Sequence, residues 1–291
     1  MKKYLAFCLS ALLILSLTTG CGSPAEEAES SVPESSQSEV SRTESSEESS
    51  EESSEEESQE SSESSVESTP DPDPSSESST VPAGSDVGAS FFDDAVFIGD
   101  SISLRLTMYC QANPDALGKA QFLTAGSLGS GNALWDENSQ DAVFPTYNGQ
   151  AVTLQDGVQK SGAKKVFIML GMNDVGLYGV EGARDNMETL IGLILEKSPN
   201  VTIYVQSMTP MLTTHQLKSL NNPNIEAYNK LLREMCAEHG WNFVDVASVM
   251  KESDGGLIPA YCSDGGDGGM GMHFTNEGAV AWVNYLRTHV S

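Results

Sequence analysis

The chain has 291 residues and a formal net charge of −27. The charge is unevenly placed: residues 22–90 hold 20 Asp and Glu against one basic residue, Arg42, whereas residues 91–291 hold 22 against 12. No basic stripe exists to release counterions from phosphates, which excludes a nucleic-acid binder, and the part from residue 91 onward is long enough to bury one sizeable core.

Residues 1–21 read as a secretion signal. Lys2 and Lys3 supply the charged start, and Ala6 to Leu17 form an apolar run too short to span a bilayer. The run ends in Leu17-Thr18-Thr19-Gly20-Cys21. That ending resembles a bacterial lipobox, with Thr18 where the pattern has Leu and Leu17 one place earlier. The resemblance implies cleavage before Cys21 and a diacylglycerol on its thiol, a two-chain anchor sufficient for stable attachment at the outer face of the cell membrane. Residues 22–90 are Ser, Glu and Pro with few apolar side chains, so they cannot offset their ordering entropy and read as a disordered tether. A flexible chain of that length spans about 45 Å r.m.s., and more under self-repulsion.

Of the five cysteines, Cys8 leaves with the signal and Cys21 is the expected anchor. Cys110, Cys236 and Cys262 remain, an odd number, so this is no disulfide scaffold. Cys236 falls in a helical pattern as a small core residue, and a Cys110–Cys262 bridge stays open. No Cys or His cluster has zinc-ligand spacing, and the Asp/Gly loop 264–269 lacks a calcium ligand set. No metal or cofactor is expected.

From residue 91 onward, apolar strands alternate with amphipathic helices. Strands are expected over Ala95–Ile98, Phe122–Ala125, Lys165–Leu170, Val201–Gln206 and Phe243–Val246. Helices are expected over Val152–Ser161 (stopped by Gly162), Gly182–Lys197 (stopped by Pro199) and Asn224–His239 (closed by Gly240), with Thr275 capping a last one. Strand–helix repetition predicts a three-layer α/β/α sandwich around a mostly parallel sheet.

In such a sheet, ligands bind beyond the carboxyl ends of the strands. Four segments fall there: Gly99-Asp100-Ser101, Gly126-Ser127-Leu128-Gly129, Gly171-Met172-Asn173-Asp174 and His273-Phe274-Thr275. Together they resemble the SGNH/GDSL hydrolase family over roughly residues 91–291. The resemblance implies a flavodoxin-like fold, Ser101 as nucleophile and His273 as its base. It also implies an oxyanion hole from the backbone N–H groups of Ser101 and Gly129 and the side-chain amide of Asn173. Gly126 is the alternative glycine. The residue types fit the chemistry. A hydroxyl needs a base to become nucleophilic, His can be that base near neutral pH, and the developing oxyanion needs preorganised donors.

The sequence departs from the family pattern at one place. The family has Asp three residues before the histidine, and here Met270 stands there. Asp264 is the first candidate to orient His273 and Asp267 the second; a Ser–His dyad is the third arrangement. Asp100 and Asp174 read as hydrogen-bonding their own loops, and Met169, Met172, Met208 and Met211 either line an acyl pocket or fill the core. The resemblance implies a monomeric serine esterase acting on a small ester or an acylated glycan, such as O-acetyl groups of polysaccharide, and touching the membrane only through its anchor. An O-acyltransferase with the same residues and a non-catalytic glycan-binding module are the alternatives.

Overall fold

Residues 84–290 are described by the computed structural model; the signal, Cys21 and the linker up to residue 83 lie outside the described residues. Five short apolar strands form the sheet: β1 (Ala95–Gly99), β2 (Gln121–Thr124), β5 (Lys165–Met169), β6 (Thr202–Gln206) and β7 (Asn242–Val244). Two further strands, β3 (Thr146–Tyr147) and β4 (Gln150–Ala151), pair antiparallel in a separate hairpin. The helices are α1 (Ser101–Ala112), α2 (Leu154–Ser161), α3 (Val175–Lys197), α4 (Asn222–His239) and α5 (Asn276–His289).

The strand order is β2-β1-β5-β6-β7, and every pair runs parallel. From β1 the chain steps to one side to make β2, then crosses back to β5 and continues to β6 and β7. Right-handed crossovers in opposite directions put their helices on opposite faces of the sheet. Accordingly α1 packs beside α5, while α2, α3 and α4 pack in a row. The expected α/β sandwich is what forms. The connections leaving β1 and β5 diverge at this reversal of strand order, which opens a crevice at the carboxyl edge.

Across the sheet, Phe122, Phe97, Phe167 and Tyr204 occupy paired register positions and stack ring on ring, with centroids 5.5, 4.7 and 4.4 Å apart. The four methionines near the strand ends are all buried, so they fill core. Cys110, Cys236 and Cys262 are free thiols, so the bridge left open between Cys110 and Cys262 does not form.

Several boundaries differ from expectation. The helix expected from Gly182 begins at Val175 and is interrupted at Gly179 (φ 75°), a left-handed conformation open to glycine. Four glycines in residues 171–182 masked that first turn. The hairpin at residues 146–151 was not expected, because two-residue strands leave no periodic pattern. Residues 84–90, read as tether, lie against α5: Gly84 and Val87 donate to the carbonyls of Thr288 and Arg287, and Asp86 pairs with Arg287.

The segment after β6 is held from α4. Buried Asn229 accepts from Met208 N at 2.7 Å and donates to Met208 O at 2.8 Å, closing both backbone groups in one ring. Asn229→Ala would leave two buried polar groups without partners, each costing about 1–3 kcal/mol. Denaturant unfolding should therefore show a loss of about 2–4 kcal/mol.

Candidate active site

Ser101 is the first residue of α1, placed there by a tight turn from β1. A Cβ on Gly99 would lie 2.0 Å from Ser103 Oγ and 2.9 Å from the Met169 carbonyl, so only glycine lets strand and helix approach this closely. Asp100 caps the helix, accepting from Ile102 N at 2.9 Å. Ser101 N–H, at the helix start, has no partner within the helix.

His273 arrives from the segment before α5. Its backbone is pinned on several sides. Ser263 N donates to His273 O at 2.8 Å, Cys262 and Phe274 form an isolated antiparallel bridge, and Arg105 Nε, one turn along from Ser101, donates to Phe274 O at 2.8 Å. Thr275 caps α5 by accepting from Gly278 N at 3.3 Å.

The structure brings Ser101 and His273 together across 172 residues of sequence, with Ser101 Oγ 2.9 Å from His273 Nε2. Asp264 Oδ2 lies 2.7 Å from His273 Nδ1. Of the three arrangements open in the sequence, this geometry is the one with Asp264; Asp267 is exposed in the loop. Asp264 also accepts from the backbone N–H groups of Met270, Met272 and His273 and from the Cys262 thiol. Partial burial pushes its pKa up, but the bonds from the His273 ring and backbone and from Cys262 outweigh it, holding the carboxyl well below the usual range. An ionised carboxylate only accepts. Nδ1 therefore carries the ring proton, and Nε2 is left free to take the proton of Ser101.

The expected oxyanion donors are less uniformly placed. Asn173 Nδ2 spends one proton on the carbonyl of Leu128 at 3.0 Å and retains a second. Gly129 N–H donates to Asn132 Oδ1 at 2.9 Å. Gly126, the alternative, sits in an exposed turn where an added Cβ would meet nothing within 4 Å. At Gly129 an added Cβ would lie 2.8 Å from Asp174 Oδ1.

Asp174 explains that closeness. It does not serve its own loop, as expected, but reaches the loop after β2. It accepts from Ser130 N at 3.0 Å and Gly131 N at 2.8 Å while fully buried. Burial raises its pKa against those two bonds. Asp100, 2% exposed, does bond its own loop as expected. Burial pushes its pKa up to about 7, opposed by the amides of Ile102 and Ser103 and reinforced by the charge of Asp174. Sequence reasoning passed over Asn132 and Arg105 and read Cys262 only as a candidate disulfide partner; their roles depend on how the loops fold back.

A model of the GDSL-like lipase/acylhydrolase family matches residues 97–281. Among curated proteins none matches. Similar solved structures include a protein of Streptococcus pneumonia named for platelet activating factor, at 19% identity over 68% of this chain and 88% of that one, with TM-score 0.49. A GDSL-like lipase from Bacteroides thetaiotaomicron is similar at 16% identity over 66% and 84%, TM-score 0.45. The catalytic domain of peptidoglycan O-acetyltransferase A from Streptococcus pneumoniae is similar at 18% identity over 67% and 90%, TM-score 0.45.

A buried acid with a raised pKa favours folding while it is protonated. That contribution is present below the ordinary carboxyl range and is lost as pH rises toward 7, where Asp100 must ionise inside the protein. Asp100→Asn stays neutral throughout. Melting temperatures across pH 4 to 8 should show the variant gaining on the parent protein as pH rises, with most of the relative gain below about pH 7.

Proposed function

Because the chain belongs to the GDSL-like lipase/acylhydrolase family, we propose that it is a serine esterase cleaving carboxylic esters through an acyl-Ser101 intermediate. Family membership makes it a hydrolase or acyl-transfer enzyme, and the narrower reading is supported by one observation. This is the hydrogen-bonded line from Ser101 Oγ to His273 Nε2 (2.9 Å) and from His273 Nδ1 to Asp264 Oδ2 (2.7 Å). In this reading Ser101 Oγ attacks the ester carbonyl carbon as its proton passes to His273 Nε2. Asp264 holds the resulting imidazolium in place and balances its charge. The carbonyl oxygen, now an anion, accepts from Ser101 N–H and the second proton of Asn173 Nδ2. His273 then protonates the departing alkoxide. Water repeats the sequence on the acyl-enzyme, releasing the acid and restoring Ser101.

The sequence supports a place for this chemistry. A lipid on Cys21 and an acidic tether would hold the domain off the outer face of a membrane, within reach of cell-wall or external glycans. The proposed substrates are accordingly O-acetyl groups of polysaccharide.

The test is labelling of the full chain with a fluorophosphonate, followed by acid release from acetylated glycans. Stoichiometric labelling, abolished by Ser101→Ala and by His273→Ala, is the expected result; a folded protein that takes no label overturns the reading. Asp264→Asn is expected to lose about 10⁴-fold in kcat, as the corresponding change does in a well-studied triad. Formation of an acylated sugar in place of free acid, with a sugar acceptor present, would make the enzyme a transferase.

A further inference from the structure

The loop after β2 is braced by side chains on both sides of Gly129. Ala133 N donates to Gly129 O at 3.1 Å, and the Asn132 side chain, three residues on from Gly129, reaches back to accept from Gly129 N–H at 2.9 Å. The same side chain donates through Nδ2 to the carbonyl of Ser127 at 2.8 Å, and Ser127 has φ 60°, a left-handed conformation unusual outside glycine. On the far side, Asp174 grips the amides of Ser130 and Gly131 and Asn173 grips the carbonyl of Leu128. Every neighbour of Gly129 is thus tied, and its own N–H is covered by a neutral acceptor.

The geometry points to Asn132 as a latch on the oxyanion hole. In the free protein its carbonyl oxygen holds Gly129 N–H, and the oxyanion formed on attack by Ser101 takes that place. This rests on the esterase reading above. The physical basis is the difference between two acceptors. The carbonyl of a bound ester is neutral, like the Asn132 amide oxygen, and gains little by displacing it. An oxyanion is charged, and hydrogen bonds to charged acceptors are roughly twice as strong as neutral ones. The exchange is therefore favoured in the transition state and near balance in the ground state, so Gly129 contributes to kcat and little to substrate binding. Asn132 acts through Gly129 and is a positioning residue.

The experiment follows the Gly129 amide proton by NMR in the full chain, ¹⁵N-labelled on glycine, before and after fluorophosphonate modification. The phosphonyl oxygen stands in for the oxyanion. The latch predicts a downfield move of the Gly129 proton on modification. An unmoved Gly129 resonance in a modified protein overturns the latch alone, whereas failure of Ser101 to react overturns the esterase reading and the latch with it. Two variants separate a latch from a plain loop clamp. Asn132→Ala uncovers Gly129 N–H, while Asn132→Asp covers it with a charged acceptor that rivals the oxyanion. The latch predicts that Asn132→Asp has kcat at least tenfold below Asn132→Ala, with KM values within threefold. Equal kcat values, or a lower one for Asn132→Ala, overturn it.

Discussion

The Asp264 carboxylate collects hydrogen bonds from one ring nitrogen, three backbone amides and a thiol, and the candidate site depends on that convergence. Five of the seven residues from 265 to 271 are glycine, a stretch that loses much conformational freedom on ordering. The crowding explains two of them. A Cβ on Gly269 would lie 1.8 Å from the Asp264 carbonyl oxygen, and Gly271, with φ 66°, has His215 packed against it. The loop is closed by a charge that draws its far end back to its start. The same charge sets the tautomer of His273, so loop closure and base orientation are one event.

Two more carboxylates, in the loops after β1 and β5, show how far environment divides one side-chain type. Asp264 is partly exposed and richly bonded, and its acidity is strengthened. Asp100 and Asp174 are buried, and their acidity is weakened. The charge of Asp174 adds to the raised pKa of Asp100. Asp174 has the amides of Ser130 and Gly131 to meet its carboxyl directly, and Asp100 has the amide of Ile102. Asp174 thereby fixes the loop that carries Gly129 to the start of α3, beside Asn173. The candidate oxyanion groups from two strand ends are held in common.

Much of this was legible in the sequence because it is local. Apolar runs marked the five sheet strands, and Gly162 and Gly240 closed α2 and α4 in the left-handed conformation the sequence called for. Fold class pointed to the loops after β1 and β5, and the family resemblance singled out Ser101 and Asn173 there and His273 before α5. The acid was not legible to the same degree. Asp264 meets His273 through a nine-residue excursion whose shape spacing does not encode, so Asp267 and a dyad stood beside it. Asp174 was assigned to its own loop and Asn132 was missed for the same reason: what matters is the distant or folded-back loop they hold. The docking of residues 84–90 on α5 was hidden because their composition continues that of the tether.

Moving the acid from three residues before the histidine to nine changes what it does. A carboxylate this far back in a folded loop can meet the His273 ring with one oxygen and the His273 backbone N–H with the other, at 2.7 and 3.0 Å. Ring and main chain are then bound to one rigid group, which fixes the side-chain torsions between them. The Cys262 thiol and the Met272 amide share the backbone-facing oxygen, and Met270 N the ring-facing one. Met270 itself, at the position where the family has its acid, points no carboxylate at the ring and is nearly half exposed. It lends only its amide to Asp264. Here the charge beside the His273 ring comes from Asp264, with the glycine loop supplying the reach.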